Sequence, residues 1–443
     1  MDRYLPPKYY NLLRNGVLWM MIKMGKNKNK IAIIGNGCAG AECIIALRES
    51  GYTGEIHVFT DSKWPIYNPM LTTYFVSGKI NFDQFFYYGK GNKFYRKFRV
   101  DVHPTSPVVS LNADKRVVAN KAGFKCDYDQ CLIASGASPF LPPIEGIGGD
   151  GVYLMRTVED AVKLKSALVK KPRKALVIGA SMIGIKLVEL FYKAGMEICL
   201  VDVAEHIFPL IAHAESSRLI EDRLRQMGIK LKLGANMKKI EGNFKQVKVY
   251  FSNSDENEEA DLVIMCVGVR ANTGFIDRAQ VEVQRGVIIE EHMHTNVPGL
   301  YSAGDVSQGN NILTGMPQII GLWANARYQG RTAGRNMAGI IEAYNGNIPH
   351  NITNFMGMDF VGIGDVCEYD RMEEKYVGKR FLQLFWKDKI LTGANFVNTC
   401  NESGIIKNAL VKGLIQNRPG YCESSPLITD MLIRKILSEV EKV

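Results

Sequence analysis

The sequence predicts an α/β fold built on a repeated unit, followed by a separate α+β unit. Three observations predict it. A short apolar run, Ile31 to Ile34, leads into Gly35, Gly37 and Gly40 in a G-x-G-x-x-G array. The same succession recurs 144 residues on, as Lys174 to Ile178 followed by Gly179, Ser181 and Gly184. From about Pro349 the pattern changes to alternating strands, Phe381 to Trp386 and Ile390 to Val397, with helices expected over Glu402 to Lys412 and Ile428 to Glu441.

The first unit can be justified residue by residue. A branched apolar run of this length reads as a buried parallel strand. Gly35 allows the tight turn, Gly37 lets a pyrophosphate approach the backbone, and Gly40 lets the next helix pack close to the strand. That helix, expected over Ala39 to Ser50, aims its unpaired N–H groups at the phosphates, and Gly51 ends it. A second strand, Ile56 to Phe59, precedes Asp61, which stands 21 positions after Gly40. That is close to the ~20 expected for the acid that binds a ribose hydroxyl. The second unit repeats the order, with a helix to about Lys193, a strand from Met196 to Val201, and Asp202 18 positions after Gly184. Ser181 replaces the middle glycine there; its small hydroxyl is expected to bond a phosphate, which weakens nucleotide binding without abolishing it. Two such units make the chain Rossmann-like and a binder of two dinucleotides.

Composition sets the outer limits. The 443 residues suggest two to four domains, and 46% hydrophobic with 23% charged residues is ordinary for a globular protein. No stretch reaches the ~18 apolar residues of a bilayer span. The formal charge of +10 is uneven: residues 1–30 hold seven basic residues against Asp2, so the basic balance reflects a tail and does not call for nucleic acid. That tail reads as a disordered extension, as an upstream start before Met24, or as an amphipathic segment that touches a membrane or partner through residues 1–24. Nine cysteines without C-x-x-C or zinc spacing suit free thiols in a reducing, cytoplasmic compartment.

Between the motifs the chain reads as follows. Residues 62–80 form a loop that turns helical near Met70. Two short strands flank a turn at Asn112 to Asp114, and Asp129 to Ser135 is a strand ending in the turn Gly136 to Pro139. A helix is expected over Glu215 to Met227, a strand over Ile229 to Leu233, a hairpin turn in the acidic stretch Asp255 to Glu259, and a buried strand over Asp261 to Val267. Residues 317–345 read as one long helix.

Five segments, in order, resemble the FAD- and NAD(P)-dependent pyridine nucleotide–disulfide oxidoreductase superfamily. They are Gly35 to Gly40, Ser135 to Pro139, Gly179 to Gly184, Cys266 to Asn272 and Thr295 to Asp305. Tyr67 to Leu71 and Trp323 to Gly330 are similar to the rubredoxin-reductase, ferredoxin-reductase and nitrite-reductase flavoprotein branch. The resemblance implies an NAD domain (146–270) inserted in a discontinuous FAD domain (31–145 and 271–347), a C-terminal interface domain (348–443) and a homodimer. It implies that Gly35, Gly37, Cys38, Ala39, Gly40 and Asp61 hold the ADP half of FAD, with Ser135 and Gly136 near by. Gly304 and Asp305 would serve the ribityl chain. Gly179, Gly184 and Asp202 would serve NADH, and NADPH less well, with Ser181 and Gly268 also among the cofactor-binding residues. Trp323 and Lys186 are placed near the flavin. Two departures from the branch stand out: Lys186 where a glutamate is common, and Thr73 where some members carry a lysine.

The thiol chemistry of the wider superfamily is not expected. Its reactive cysteine belongs in the loop after the first acid, and Ser62 to Ile80 contains none. Cys38 and Cys43 would diverge around a helix, and Cys126 and Cys131 would face opposite sides of a strand. No metal site is expected from His206, His213, His292 or His294. The reading is therefore an FAD enzyme that takes a hydride from NADH and passes electrons to an iron–sulfur carrier or partner subunit. An NADH oxidase using oxygen, and a non-catalytic flavin-bearing structural or sensor protein, are the alternatives. The basic, aromatic stretch from Lys90 to Arg99 is a solvated surface or a docking patch for an acidic carrier.

Overall fold

A computed structural model describes residues 29–416 except Asn253, Lys389 and Glu402. The expectations for the basic extension before Asn29 and for the helix at Ile428 to Glu441 lie outside the described residues.

Three five-stranded sheets carry the fold. The first is parallel, in the spatial order Leu300–Ser302, Gln130–Ile133, Lys30–Ile34, Glu55–Phe59, Asp101–His103. The second is also parallel, in the order Lys230–Lys232, Glu197–Val201, Lys174–Ile178, Leu262–Met265, Val152–Leu154. The first sheet therefore takes strands from both sides of the second in sequence. The chain crosses between them twice, and the crossings are zipped together where Ala137–Pro139 pairs antiparallel with Val269–Ala271. The third sheet is antiparallel, in the order His350–Phe355, Met358–Gly364, Ile390–Val397, Arg380–Lys387, Arg371–Val377. It docks on the second unit through aromatic packing: Phe208 stacks on Phe360 with centroids 4.9 Å apart. Asn395 accepts a bond from the His213 amide at 2.7 Å.

The central strands are buried on both faces, as their uninterrupted apolar runs require. The glycines of the loops are demanded by space. Gly35 has φ of +118°, and a Cβ there would lie 2.0 Å from the Ala134 carbonyl oxygen. Gly40 would strike the Gly35 oxygen at 2.6 Å. In the second unit Gly179 and Gly184 meet the same two obstacles, at 2.4 Å and 2.0 Å.

Two expectations need correction. The acidic stretch is not a turn: Ser254–Ala260 is a strand paired with Gln246–Phe251. Its charge is tolerated because Glu258 is buried among Lys174, Lys230 and Lys232, with the Lys230 contact at 2.6 Å. The long helix is shorter than expected and spans Trp323–Met337. Pro317–Gln318 before it is a strand, and Gly339 at φ of +85° ends the helical geometry.

Candidate functional site: two phosphate loops and the turns that link them

The first loop is closed by the Gly35 amide, which donates to the Phe59 carbonyl at 2.8 Å. Gly37 is the N-cap of the helix Cys38–Glu49, and no side chain caps that helix. A Cβ on Gly37 would meet nothing within 4 Å. The loop is thus an open cradle of backbone N–H groups, which is the fit a pyrophosphate needs. Cys38 and Ala39 are buried beneath it. The Cys38 sulfur lies 3.6 Å from the Tyr88 hydroxyl and 3.8 Å from the Trp323 carbonyl oxygen.

The second loop has the same frame, with the Gly179 amide donating to Val201 at 2.7 Å. Its polar groups are satisfied internally. The Ser181 hydroxyl donates to the Cys266 carbonyl at 3.0 Å and accepts from the Gly184 amide at 3.3 Å. It caps its own helix, Met182–Lys193, and is not aimed at a phosphate as expected. Asp202 accepts from the Ala180 amide at 2.6 Å and the Ala204 amide at 2.9 Å. That places a carboxylate at the end of the strand, beside the phosphate turn.

Register separates the two acids. Ile34 pairs with Phe59, and Ile178 pairs with Val201. The counterpart of Asp202 in the first unit is therefore Thr60, and Asp61 stands one residue further out, exposed. Counting positions from the glycines alone does not show this offset.

The remaining expected residues surround the first loop and the crossings. Ser135 donates to the Asn272 carbonyl at 2.8 Å, and the Asn272 side chain returns a bond to Ser135 at 2.9 Å. The Gly136 carbonyl accepts from the Asn272 amide, and the Gly268 carbonyl from the Phe140 amide, each at 2.9 Å. The Gly304 amide donates to Gln329 at 2.8 Å. Gly304 also sits against Ala39, where a Cβ would come within 3.2 Å of the alanine methyl. Trp323 opens the helix Trp323–Met337, which packs tightly on the first loop's helix: a Cβ on Gly330 would fall 2.3 Å from the Ala39 oxygen. Buried Glu42 ties the two helices, accepting from Tyr88 at 2.8 Å and Arg327 at 2.9 Å.

Arg156, which the sequence alone does not single out, pairs with one of the expected site residues. Its guanidinium donates to Asp305 at 2.7 Å, bridging the start of the second unit to the carboxylate expected at the ribityl chain. The pair is 149 positions apart, and nothing local to either segment announces it.

Lys186 and Thr73, the two departures, line one cleft together with Tyr74, Ser77, Lys79, Glu189 and Lys193. Lys186 lies 3.5 Å from Glu189, which also binds Lys193 at 2.6 Å. Burial lowers the Lys186 pKa from its ordinary value, against the pull of Glu189. The cleft thus carries three lysines against one carboxylate.

The cysteines nearest the two loops are held as buried thiols. Burial pushes the Cys38 thiol up to about 12, and burial also raises Cys43 and Cys266. No disulfide forms among the described residues. No helix among the described residues is long and apolar enough to cross a membrane.

Comparison with known proteins agrees with this geometry. The chain is 28% identical over 391 residues to the NADH-dependent phenylglyoxylate dehydrogenase subunit epsilon of Aromatoleum evansii, covering 86% of this chain and 91% of that protein. It is 25% identical over 343 residues to a rubredoxin–NAD(+) reductase of Ectopseudomonas oleovorans, covering 77% and 88%. Among solved structures, the covalent putidaredoxin reductase–putidaredoxin complex superposes with a TM-score of 0.80 at 23% identity, over 87% of this chain and 94% of that one. The sequence profile of the pyridine nucleotide-disulphide oxidoreductase family matches residues 29–330. The chain therefore belongs to the pyridine nucleotide-disulphide oxidoreductase family and is an FAD-dependent NAD(P)H oxidoreductase.

Proposed function

We propose that this protein is an electron-transfer flavoenzyme that oxidises NADH and reduces an acidic iron–sulfur carrier protein or partner subunit. The observation that carries the reading is the pairing of two glycine-turn loops with six buried cysteines among the described residues, Cys367 being exposed and Cys400 partly so. Bound FAD supplies the two-electron to one-electron conversion. The chain's own groups bind and orient. The Gly35, Gly37 and Gly40 backbone with Cys38 and Ala39 holds the ADP half of FAD, and Asp61 its ribose. Asp305, steadied by Arg156, holds the ribityl chain. Gly179, Gly184 and Asp202 hold NADH, while the linked turns at Ser135, Gly136 and Gly268 fix the cleft between the loops. Trp323 closes the flavin side, and the Lys186 cleft adds positive charge beside it.

The surface supports an acidic acceptor. Lys93, Arg96 and Lys97 are exposed on the short helix Lys93–Phe98, while Phe94 and Tyr95 are buried beneath them. The Tyr95 hydroxyl donates to Asn36 at 2.9 Å, so this basic face is tied directly to the first phosphate loop. Among the described residues none of the three cations forms an ion pair. Lys90 is paired with Asp83. The two relatives above carry names of a dehydrogenase subunit and a carrier reductase, which favours a protein acceptor over oxygen. Free, mostly buried thiols suit a cytoplasmic setting, and the third sheet is the expected homodimer face.

Weak, small carrier encounters are electrostatically steered. They slow as salt shortens the Debye length from about 10 Å at 0.1 M to about 3 Å at 1 M. Reversing Lys93, Arg96 and Lys97 to glutamate is expected to slow reduction of an acidic ferredoxin or rubredoxin and flatten its salt dependence, with NADH-to-dye turnover intact. Carrier reduction by that variant equal to the parent's at low salt, or reoxidation by air faster than by any carrier, overturns the reading.

A further inference from the structure

Away from both phosphate loops, the edge of the first sheet gathers three ligand-type side chains. His57 lies in the middle of Glu55–Phe59, and Asp101 is its register partner on the edge strand Asp101–His103. Residues two apart on a strand share a face, so Glu55, His57 and Phe59 stand on the same side as Asp101 and His103. His57 Nδ1 lies 3.2 Å from His103 Nε2 and 3.6 Å from Asp101 Oδ2. One ligand atom from each of the three residues fits within 4.8 Å of the others. Two donors, each about 2.1 Å from a tetrahedral ion, stand about 3.4 Å apart; the two distances fall on either side of that value.

The surroundings hold the rings in place. His103 stacks on Phe59 with centroids 4.6 Å apart and planes at 9°, and Phe124 closes over it at 5.3 Å. Behind His57, Glu55 Oε2 lies 3.7 Å from Nε2, a buried nitrogen that has no hydrogen-bond partner. That gap exceeds a hydrogen bond, and a small rotation of the exposed Glu55 side chain would let it accept from Nε2 and fix the tautomer of a ligating imidazole. The Asp101 side chain is 71% exposed, so solvent can supply the remaining ligand. Nitrogen and carboxylate donors with tetrahedral spacing suit zinc, and also cobalt or nickel.

We propose that His57, His103 and Asp101 form a binding site for a divalent transition-metal ion, zinc by donor type and spacing, which staples the edge strand to the first sheet. The staple acts next to the cofactor loop. The His103 carbonyl accepts from the Thr60 amide at 3.2 Å, and the Thr60 carbonyl accepts from Ser106 at 2.7 Å. The ion therefore fixes the backbone that presents Asp61.

The test uses the full-length, untagged, FAD-loaded protein, stripped with chelator and dialysed. Calorimetric titration with Zn2+ is expected to give one ion per chain with a dissociation constant below about 10 µM, and the melting temperature should rise with added Zn2+. Co2+ should give the visible bands of a four- or five-coordinate ion. His103→Gln should abolish the Co2+ bands. Asp101→Asn changes an exposed side chain without threatening the fold, and should weaken Zn2+ binding about 10- to 100-fold. Failure of the parent to bind either ion, which would leave a plain histidine–histidine hydrogen bond, overturns the proposal. So does binding that is unchanged in both variants.

Discussion

Asp202 should decide between the two nicotinamide coenzymes, and Asp202→Asn measures how much. The carboxylate already accepts two backbone bonds, from Ala180 at 2.6 Å and Ala204 at 2.9 Å. With two acceptor oxygens it keeps lone pairs to receive the two ribose hydroxyls of NADH expected there. A hydrogen bond to a charged group contributes about 1.5–3 kcal/mol and a neutral one about 0.5–1.5 kcal/mol. Neutralising the acceptor therefore costs about 1 kcal/mol or somewhat more per ribose bond. Two bonds give about 2–3 kcal/mol, or roughly 30- to 160-fold in kcat/KM for NADH. NADPH moves the other way. A unit charge about 4 Å from the carboxylate is repelled by about 1 kcal/mol even at the dielectric of water. A dianionic 2′-phosphate would be repelled by about twice that. Removing the carboxylate charge should improve NADPH roughly 30-fold, and the NADH-to-NADPH preference should fall by about three orders of magnitude. No arginine follows within Val203 to His206 to reward a 2′-phosphate, so the variant should lose discrimination without becoming a strong NADPH enzyme. Initial rates with a one-electron dye give both kcat/KM values. A preference unchanged within threefold, at full flavin content, would refute the placement of Asp202 at the ribose.

The other predictions concern the first loop and the thiols. Gly37→Ala should leave the melting temperature of the apoprotein unchanged, because nothing in the protein lies within 4 Å of the new methyl, yet should sharply reduce FAD retention. Gly330→Ala should do the reverse: its methyl would fall 2.3 Å from the Ala39 oxygen, overpacking the helix pair by about 1–3 kcal/mol and lowering the melting temperature. Asp305→Asn should lower flavin occupancy, read from the ratio of visible to ultraviolet absorbance, since it removes both the charge and the Arg156 pair. The Cys38→Ser, Cys43→Ser double variant should keep NADH-to-dye turnover within a few-fold. With the Cys38 thiol pushed up to about 12 by burial, the thiol stays protonated below that pH. Iodoacetamide at pH 8 should therefore leave turnover untouched, and rapid inactivation lost in the double variant would revive a thiol mechanism.

What could be read from the sequence follows from what is local in it. The loop glycines and the apolar runs before them answer to contacts within one strand–turn–helix unit, and their spacing survives in the fold. The discontinuous first sheet came from resemblance alone, because nothing local to Leu300–Ser302 says that it joins Gln130–Ile133. Arg156 and Asp305 meet only after both crossings are made, so neither segment advertises the other. The acidic strand Ser254–Ala260 was missed because its stability lies in lysines on other strands, above all Lys230. His57 and His103 were passed over for the same reason: two residue pairs, E-x-H and D-x-H, become one cluster only when their strands align in register.

The two loops share a frame but differ in how their helix starts are satisfied, and that difference bears on which nucleotide stays. At the second loop the protein completes its own bonds: Ser181 caps Gly184, its proton goes to Cys266, and Asp202 takes the Ala180 amide. Such a loop loses little when empty, which suits a coenzyme that must leave after each turnover. At the first loop Gly37 offers no cap, and orphan N–H groups at a helix start are costly when nothing accepts from them. Their expected acceptor is the pyrophosphate, so emptying the first site should cost the fold more than emptying the second. Gel filtration at low protein concentration should therefore strip NADH completely while FAD stays bound. Removing FAD by acid and salt should lower the melting temperature by more than withholding saturating NADH does. A protein that loses FAD as readily as NADH, with no change in melting temperature, would show that the uncapped helix start does not set cofactor residence.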